Sequence, residues 1–208
     1  MKRFSLLAIV FVSSFSAAFA QNEKKPEFFA GYSFETVDTG VTSTDLGTAT
    51  SLDNRFKANG FNLSAADYFT KHFGVAADFS AHFDNRGDSV GADTTQSKFS
   101  LYNITAGPQF RFAGTGRLTP FVHVLAGVAR RNLTETVTST ATSNSDNTTS
   151  FAMNIGGGLD YRLNHRFALR LFQFDYNPIF LRSRIVDTIT FPNQTLSGFR
   201  FSTGLVIK

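Results

Sequence analysis

The chain has no cysteine and no tryptophan. Without a thiol it has no disulfide framework, no thiolate chemistry and no acylated cysteine of the lipoprotein kind. Past the first twenty residues no apolar run approaches the ~18 residues of a membrane-spanning helix, which excludes a helical membrane protein. No basic run interleaves with aromatic stacking platforms, and the formal charge is only +4, falling to +2 if Lys2 and Arg3 are removed. A nucleic-acid partner is therefore not expected. No cluster of His or carboxylates has metal-ligand spacing. Asp84-Asn85-Arg86-Gly87-Asp88 resembles part of a calcium loop but lacks the downstream bidentate Glu. Cofactors are expected to be none.

Phenylalanine fills the aromatic role, with 25 residues in a chain of 208. Many of these rings sit in segments of alternating polarity. In 73–83, Phe73, Val75, Ala77, Phe79, Ala81 and Phe83 point one way, while Asp78, Ser80 and His82 point the other. A period of two sends these sets to opposite faces of a strand. Apolar toward lipid and polar toward the lumen is how a transmembrane barrel is written. In a soluble lipocalin-like barrel, the competing class, the lumen would be the apolar side.

Eight such segments are expected, at 27–36, 58–68, 73–83, 98–112, 119–130, 150–163, 166–176 and 196–208. Their connections alternate in length: 69–72, 113–118 and 164–165 are short, whereas 37–57, 84–97, 131–149 and 177–195 are long. The fold class expected is all-β, an eight-stranded antiparallel up-and-down transmembrane β-barrel with short periplasmic turns and long extracellular loops. The stretch 134–150 is open to two readings, a disordered Ser/Thr/Asn-rich loop or a raised hairpin.

Met1-Lys2-Arg3 is a basic start, 4–15 is apolar, and Ala18-Phe19-Ala20 supplies the small residues of a cleavage site. Residues 1–20 thus read as a signal peptide, 21–26 as a short periplasmic leader, and 27–208 as the outer-membrane barrel, with both termini periplasmic.

Gly156-Gly157-Gly158-Leu159-Asp160-Tyr161-Arg162-Leu163, then Ala168-Leu169-Arg170 and Gln173-Phe174-Asp175-Tyr176, resemble the small outer-membrane barrels of the OmpA-like and OmpX-like superfamily. Pro120-Phe121-Val122, Gly127-Val128-Ala129, Ala106-Gly107-Pro108-Gln109-Phe110 and Ser202-Thr203-Gly204-Leu205 look similar too. The resemblance covers the whole mature chain. It implies the fold and an outer-membrane location, with adhesins and structural anchors among its members. Two departures stand out: the chain finishes Leu205-Val206-Ile207-Lys208 rather than on a terminal aromatic, and no periplasmic peptidoglycan-binding domain follows. Implied partners are outer-membrane lipids including lipopolysaccharide, the barrel-assembly machinery during insertion, and an extracellular ligand at the loops, the protein itself being a monomer.

By parity the lumen should hold a polar network of Glu35, Asp78, His82, Arg111, His123, Asp160, Arg162 and Arg200, joined by Asn62, Ser64, Ser80, Asn103, Thr105, Gln109 and Asn154. The lipid-facing set is Phe73, Val75, Phe79, Phe83, Phe151, Ile155, Leu159, Phe199 and Phe201. Eight strands leave an interior that side chains can fill. An ionic plug is the first expectation, and an anion-preferring pore ringed by Arg111, Arg162 and Arg200 is the alternative. Arg170 and Asp175 lie an odd number of positions apart. They can both face inward only with a β-bulge near Phe172; otherwise Asp175 sits at the outer rim. Ser80, His82 and Asp84 form the one local constellation an outer-membrane lipid hydrolase could use; His123 reads as packing, and His72 and His165 as solvated turn residues. The function expected is non-enzymatic: a structural envelope component or a surface binding and adhesion module acting through its loops. Those loops carry mixed charge (Asp45, Asp53, Arg55, Asp88, Arg182, Arg184) and an Arg86-Gly87-Asp88 tripeptide expected on an exposed loop.

Overall fold

A computed structural model describes residues 26–38, 55–90, 93–112, 116–137, 142–181, 184–186, 189–191 and 194–208. The signal peptide and all of the leader but Pro26 lie outside the described residues, as does most of the first long loop.

Ten strands are present: β1 (Glu27–Asp38), β2 (Arg55–Tyr68), β3 (Phe73–Val90), β4 (Asp93–Arg111), β5 (Leu118–Val137), β6 (Thr142–Arg162), β7 (Phe167–Leu181), β8 (Arg184–Val186), β9 (Ile189–Phe191) and β10 (Gln194–Ile207). Seven of them and β10 close into a barrel in the order β1-β10-β7-β6-β5-β4-β3-β2, every neighbouring pair antiparallel. The short β8–β9 hairpin stands apart from it. Closure removes the open edges that a membrane would leave unsatisfied.

The turns after β2 and β6 are tight, and Glu27, Lys208 and the end of β4 lie at the same rim as these turns; that rim is the turn end, and the opposite one is the hairpin end. At the turn after β4, Gly116 adopts φ +70°, a conformation costly for any residue with a Cβ. Gly60 serves differently, since a Cβ there would run into the carbonyl of Ala81 on β3.

Two of the expected long loops are strand instead. Segment 84–97 continues the β3–β4 ladder up to Val90↔Asp93, and 131–149 continues β5–β6 up to Val137↔Thr142. The raised-hairpin reading of 134–150 holds, and Arg86-Gly87-Asp88 lies within a ladder, opposite 95–97, rather than in a loop. The Ser, Thr and Asn of these segments give little burial to detect, but their backbones pair all the same. β3 to β6 thus run 18–21 residues each, against 12–14 for β1, β2 and β10. A tilted strand crosses the hydrocarbon in ~9–11 residues, so these four project well beyond it.

The bulge is real. Leu159 pairs with Phe172 but Asp160 with Arg170, leaving Leu171 as the extra residue. The β10 ladder shifts at the same place, between Ser202↔Gln173 and Gly204↔Arg170. Leu171 and Phe172 are consecutively exposed, and the parity of β7 is reset between them. Arg170, Gln173 and Asp175 consequently all face inward and are buried.

Candidate functional site

The interior is built in layers. At the turn end, Arg111 Nη1 contacts Glu27 Oε1 at 2.5 Å, Lys208 Nζ reaches the same oxygen at 3.0 Å, and the Arg111 guanidinium lies 3.8 Å over the Tyr68 ring. Gln109 donates to the Tyr68 hydroxyl. One layer further in, Arg170 donates to both oxygens of Asp160, at 2.8 and 3.2 Å, and to Gln173 Oε1 at 2.6 Å. Its guanidinium lies between the rings of Phe29 and Phe121, 4.4 and 4.2 Å from their centroids. A flat cation stacked between two rings keeps attraction that the lost water would otherwise supply.

The middle layer centres on Arg200. It donates to Asp175 Oδ2 at 2.9 and 2.6 Å and to Asp78 Oδ1 at 2.8 Å. His123 Nε2 is 2.8 Å from the other Asp175 oxygen, and Gln173 Nε2 donates to Asp175 at 2.7 Å. Asn62 donates to Asp78 at 2.7 Å. Asn154 donates to Thr105 at 2.9 Å. Above this, His82 Nδ1 lies 2.7 Å from Glu35 Oε2, its Nε2 lies 2.8 Å from Ser33 Oγ, and Asn177 donates to Glu35 Oε1 at 2.8 Å. A buried charge is tolerated only when paired and hydrogen-bonded. Glu27, Glu35, Asp78, Asp160 and Asp175 each meet at least one cation or His, whereas Asp67, also buried, keeps Oδ1 without a hydrogen bond.

At the hairpin end the filling changes. Val37, Ala58, Phe99, Leu101, Ala129, Ala152, Ile179 and Leu196 form one buried apolar cluster across the mouth, with Leu181 packed against it. This cap was not among the expected lumen residues. Its signal was present in the inward parity of Phe99, Leu101, Ile179 and Leu196, which interrupts the polar face of their strands.

Of the expected network, Glu35, Asp78, His82, His123, Asp160 and Arg200 are buried, with Asn62, Ser80, Asn103, Thr105, Gln109 and Asn154; Arg111 and Ser64 are half-buried. Arg162 does not join them. Parity aims it inward, but it stands past the last layer at the rim, exposed, with Nη2 donating to Gly116 O at 2.8 Å. Phe73, Phe83, Phe151, Ile155 and Phe199 are exposed on the outer face. Val75, Phe79, Leu159 and Phe201 are partly covered there, Phe79 by Phe61 and Phe201 by Phe174.

The hydrolase constellation is corrected in its members. Asp84 begins the projecting part of β3, and Ser80 accepts from Asn103 at 3.4 Å. His82 instead joins Ser33 and Glu35 in a Ser–His–Glu chain that parity alone could not assemble, because β1 and β3 are separated by β2. All three side chains are fully buried, and Ser33 Oγ also meets Ser202 Oγ at 3.0 Å. A nucleophile needs room for a carbonyl carbon beside it, and the packing here provides none. No group of three or more His or carboxylate side chains among the described residues could hold a metal.

A lipid-facing skin, an ion-paired interior and an even number of antiparallel strands point to one setting. A sequence profile for the outer membrane protein beta-barrel domain matches residues 4–204. The chain belongs to the outer membrane protein beta-barrel domain family. The family places it in the outer membrane and agrees with the resemblance drawn from the sequence. Among solved structures, the barrel is similar to Ail, the attachment invasion locus protein of Yersinia pestis, at 20% identity and TM-score 0.53, covering 87% of this chain and 97% of that one. It is also similar to Neisserial surface protein A (15%, TM-score 0.57, 88% and 96%) and to the outer membrane protease OmpT of Escherichia coli (8%, TM-score 0.50, 88% and 96%). At these identities the likeness is one of fold. No curated protein matches the chain in sequence.

Proposed function

We propose that this protein is a non-enzymatic surface module, in which the barrel anchors a projecting β-sheet that carries the binding or envelope-structural duty. The observation behind this reading is the length of β3 to β6. Among the described residues, β2 pairs with β3 only as far as Asn59↔Phe83, and β6 pairs with β7 only from Phe151↔Phe180. Beyond those points, among the described residues, 85–90 and 142–147 border the outer sides of a four-stranded sheet. The outer side of a sheet can take up an extended segment of another chain. A barrel that only had to close would need none of this.

The proposed orientation puts the tight turns and both termini in the periplasm after removal of residues 1–20. Lipopolysaccharide would surround the hairpin end, the assembly machinery would insert the chain, and the protein would act as a monomer. An anion pore draws no support from the arginines. Arg111 is bound to Glu27, Arg200 to Asp78 and Asp175, and Arg162 lies at the rim.

Ail has been solved in complex with the heparin analogue sucrose octasulfate, so immobilised heparin is a first probe here, alongside extracellular-matrix proteins. Replacing 85–98 and 132–147 with Asn-Gly turns should keep outer-membrane insertion and heat-modifiable gel mobility while abolishing capture by cells that display the protein. Capture that survives the deletion would defeat the proposal.

A further inference from the structure

Exposed charge at the turn end of this barrel is of one sign among the described residues. The carboxylate side chains described there, those of Glu27, Asp67 and Asp160, are all buried. Lys71, Arg117, Arg162 and Arg166 are exposed there, and no carboxylate among the described residues pairs with any of them. Three of the four are neighbours. Arg162 N donates to Arg117 O at 2.8 Å, which sets the two residues side by side where β6 ends beside the β4–β5 turn. Leu163 N donates to Phe167 O at 3.0 Å, closing the next turn so that Arg166 stands on the same stretch of rim. Arg117 Nη1 lies 3.4 Å from the Tyr161 hydroxyl, and Arg162 is tied to Gly116 O. Two of the guanidinium groups are thus steered by neutral partners that leave their charge unneutralised.

Depth decides what this cluster meets. Leu118 and Phe167, exposed large apolar residues that begin β5 and β7, lie directly inside Arg117 and Arg166, and the exposed Phe112 and Leu163 follow the ends of β4 and β6 at the same rim. They end the hydrocarbon-facing band, so the guanidinium groups sit at the level of lipid phosphates. Arginine presents a planar fork of donors that matches phosphate oxygens two at a time, and surface cations are drawn to anionic headgroups.

We propose that Arg117, Arg162 and Arg166 form a binding site for the phosphate of an anionic phospholipid in the leaflet at the turn end. It rests on the proposed orientation for its leaflet, the periplasmic one, but not on the hairpins' binding duty.

The mature barrel in detergent, offered equal amounts of phosphatidylglycerol, phosphatidylethanolamine and lipid A, tests this by native mass spectrometry. Phosphatidylglycerol should be retained preferentially, and retention should fall by about fivefold for each arginine changed to Gln. R117Q/R166Q leaves the Arg162–Gly116 bond in place, so it separates lost binding from lost folding if R117Q/R162Q/R166Q fails to show heat-modifiable mobility. Equal retention of the two phospholipids, unchanged retention in R117Q/R166Q, or a loss confined to lipid A would overturn the site. Orientation is checked separately: a single cysteine at Asn164 should react with an impermeant maleimide only after the cells are permeabilised. Labelling on intact cells would overturn the orientation and, with it, the leaflet assigned here.

Discussion

From Glu27 to Glu35 the lumen is filled by charge pairs, whereas one layer higher Val37, Phe99, Leu101, Ile179 and Leu196 fill the same cylinder with hydrocarbon. The two fillings are different kinds of object. In the ionic section the paired charges depend on one another, and removing one strands another in a medium that cannot solvate it. In the apolar cap no pair is special, and a lost methyl group costs what its contacts and the space left behind amount to. The cap also keeps water from reaching the ion pairs through the hairpin end, and low dielectric strengthens pairing.

The sharpest way to break this contrast is Arg200→Leu. It leaves Asp78 and Asp175 without their cation, and a broken buried pair costs about 3–5 kcal/mol. The midpoint of urea unfolding in lipid vesicles should fall accordingly, and Arg200→Leu with Asp175→Leu should recover part of the loss. A single variant as stable as the parent would mean that the layer is not ionic in the way described. Leu101→Ala comes next, with an expected loss of about 2–4 kcal/mol in the same titration. It should leave planar-bilayer recordings silent, because the ionic layers lie beneath the cap. Channels in Leu101→Ala alone would assign the seal to the cap and refute the two-layer picture. Smallest is Ser33→Ala, which deletes the buried contacts of Oγ with His82 Nε2 and Ser202 Oγ and should cost about 1–2 kcal/mol. Lipid hydrolysis should be at background in both forms, and a Ser33-dependent activity would reopen the enzyme reading.

How far these features were legible in the sequence depends on which question parity answers. It answers which face: the outward Phe73, Phe83, Phe151 and Phe199 and the inward Glu35, Asp78 and Arg200 follow from alternation alone. It also raised the conflict between Arg170 and Asp175, left open between a bulge near Phe172 and a rim position for Asp175, which the extra residue Leu171 resolves as a bulge. Depth is what it does not answer. Arg162 has inward parity yet stands beyond the last layer, and Leu101 has inward parity yet belongs to a cap, not to a polar network. Nor does alternation give partners across the barrel. Ser33 and His82 meet because the strand registers put Ser33, Gly60 and His82 in one row and Gly60 has no side chain to stand between them, which no local window contains. The β3–β4 extension was missed, and the β5–β6 one left open between two readings, for another reason: runs of Ser, Thr and Asn carry no apolar alternation to mark a strand.

Arg200 also bears on how the barrel assembles. It arrives on β10, the last strand of the chain, yet it holds Asp78 on β3 and Asp175 on β7. Until β10 docks between β1 and β7, those two carboxylates lack that cation, however completely the other seven strands have zipped. The final seam is therefore where these two carboxylates gain the cation they share. A half-built sheet gains few of these contacts in advance, and pairings this distant in sequence must wait for loop closure. Completion of the wall and the pairing of Asp78 and Asp175 with Arg200 are one event, which favours either an open precursor or a finished barrel over anything between.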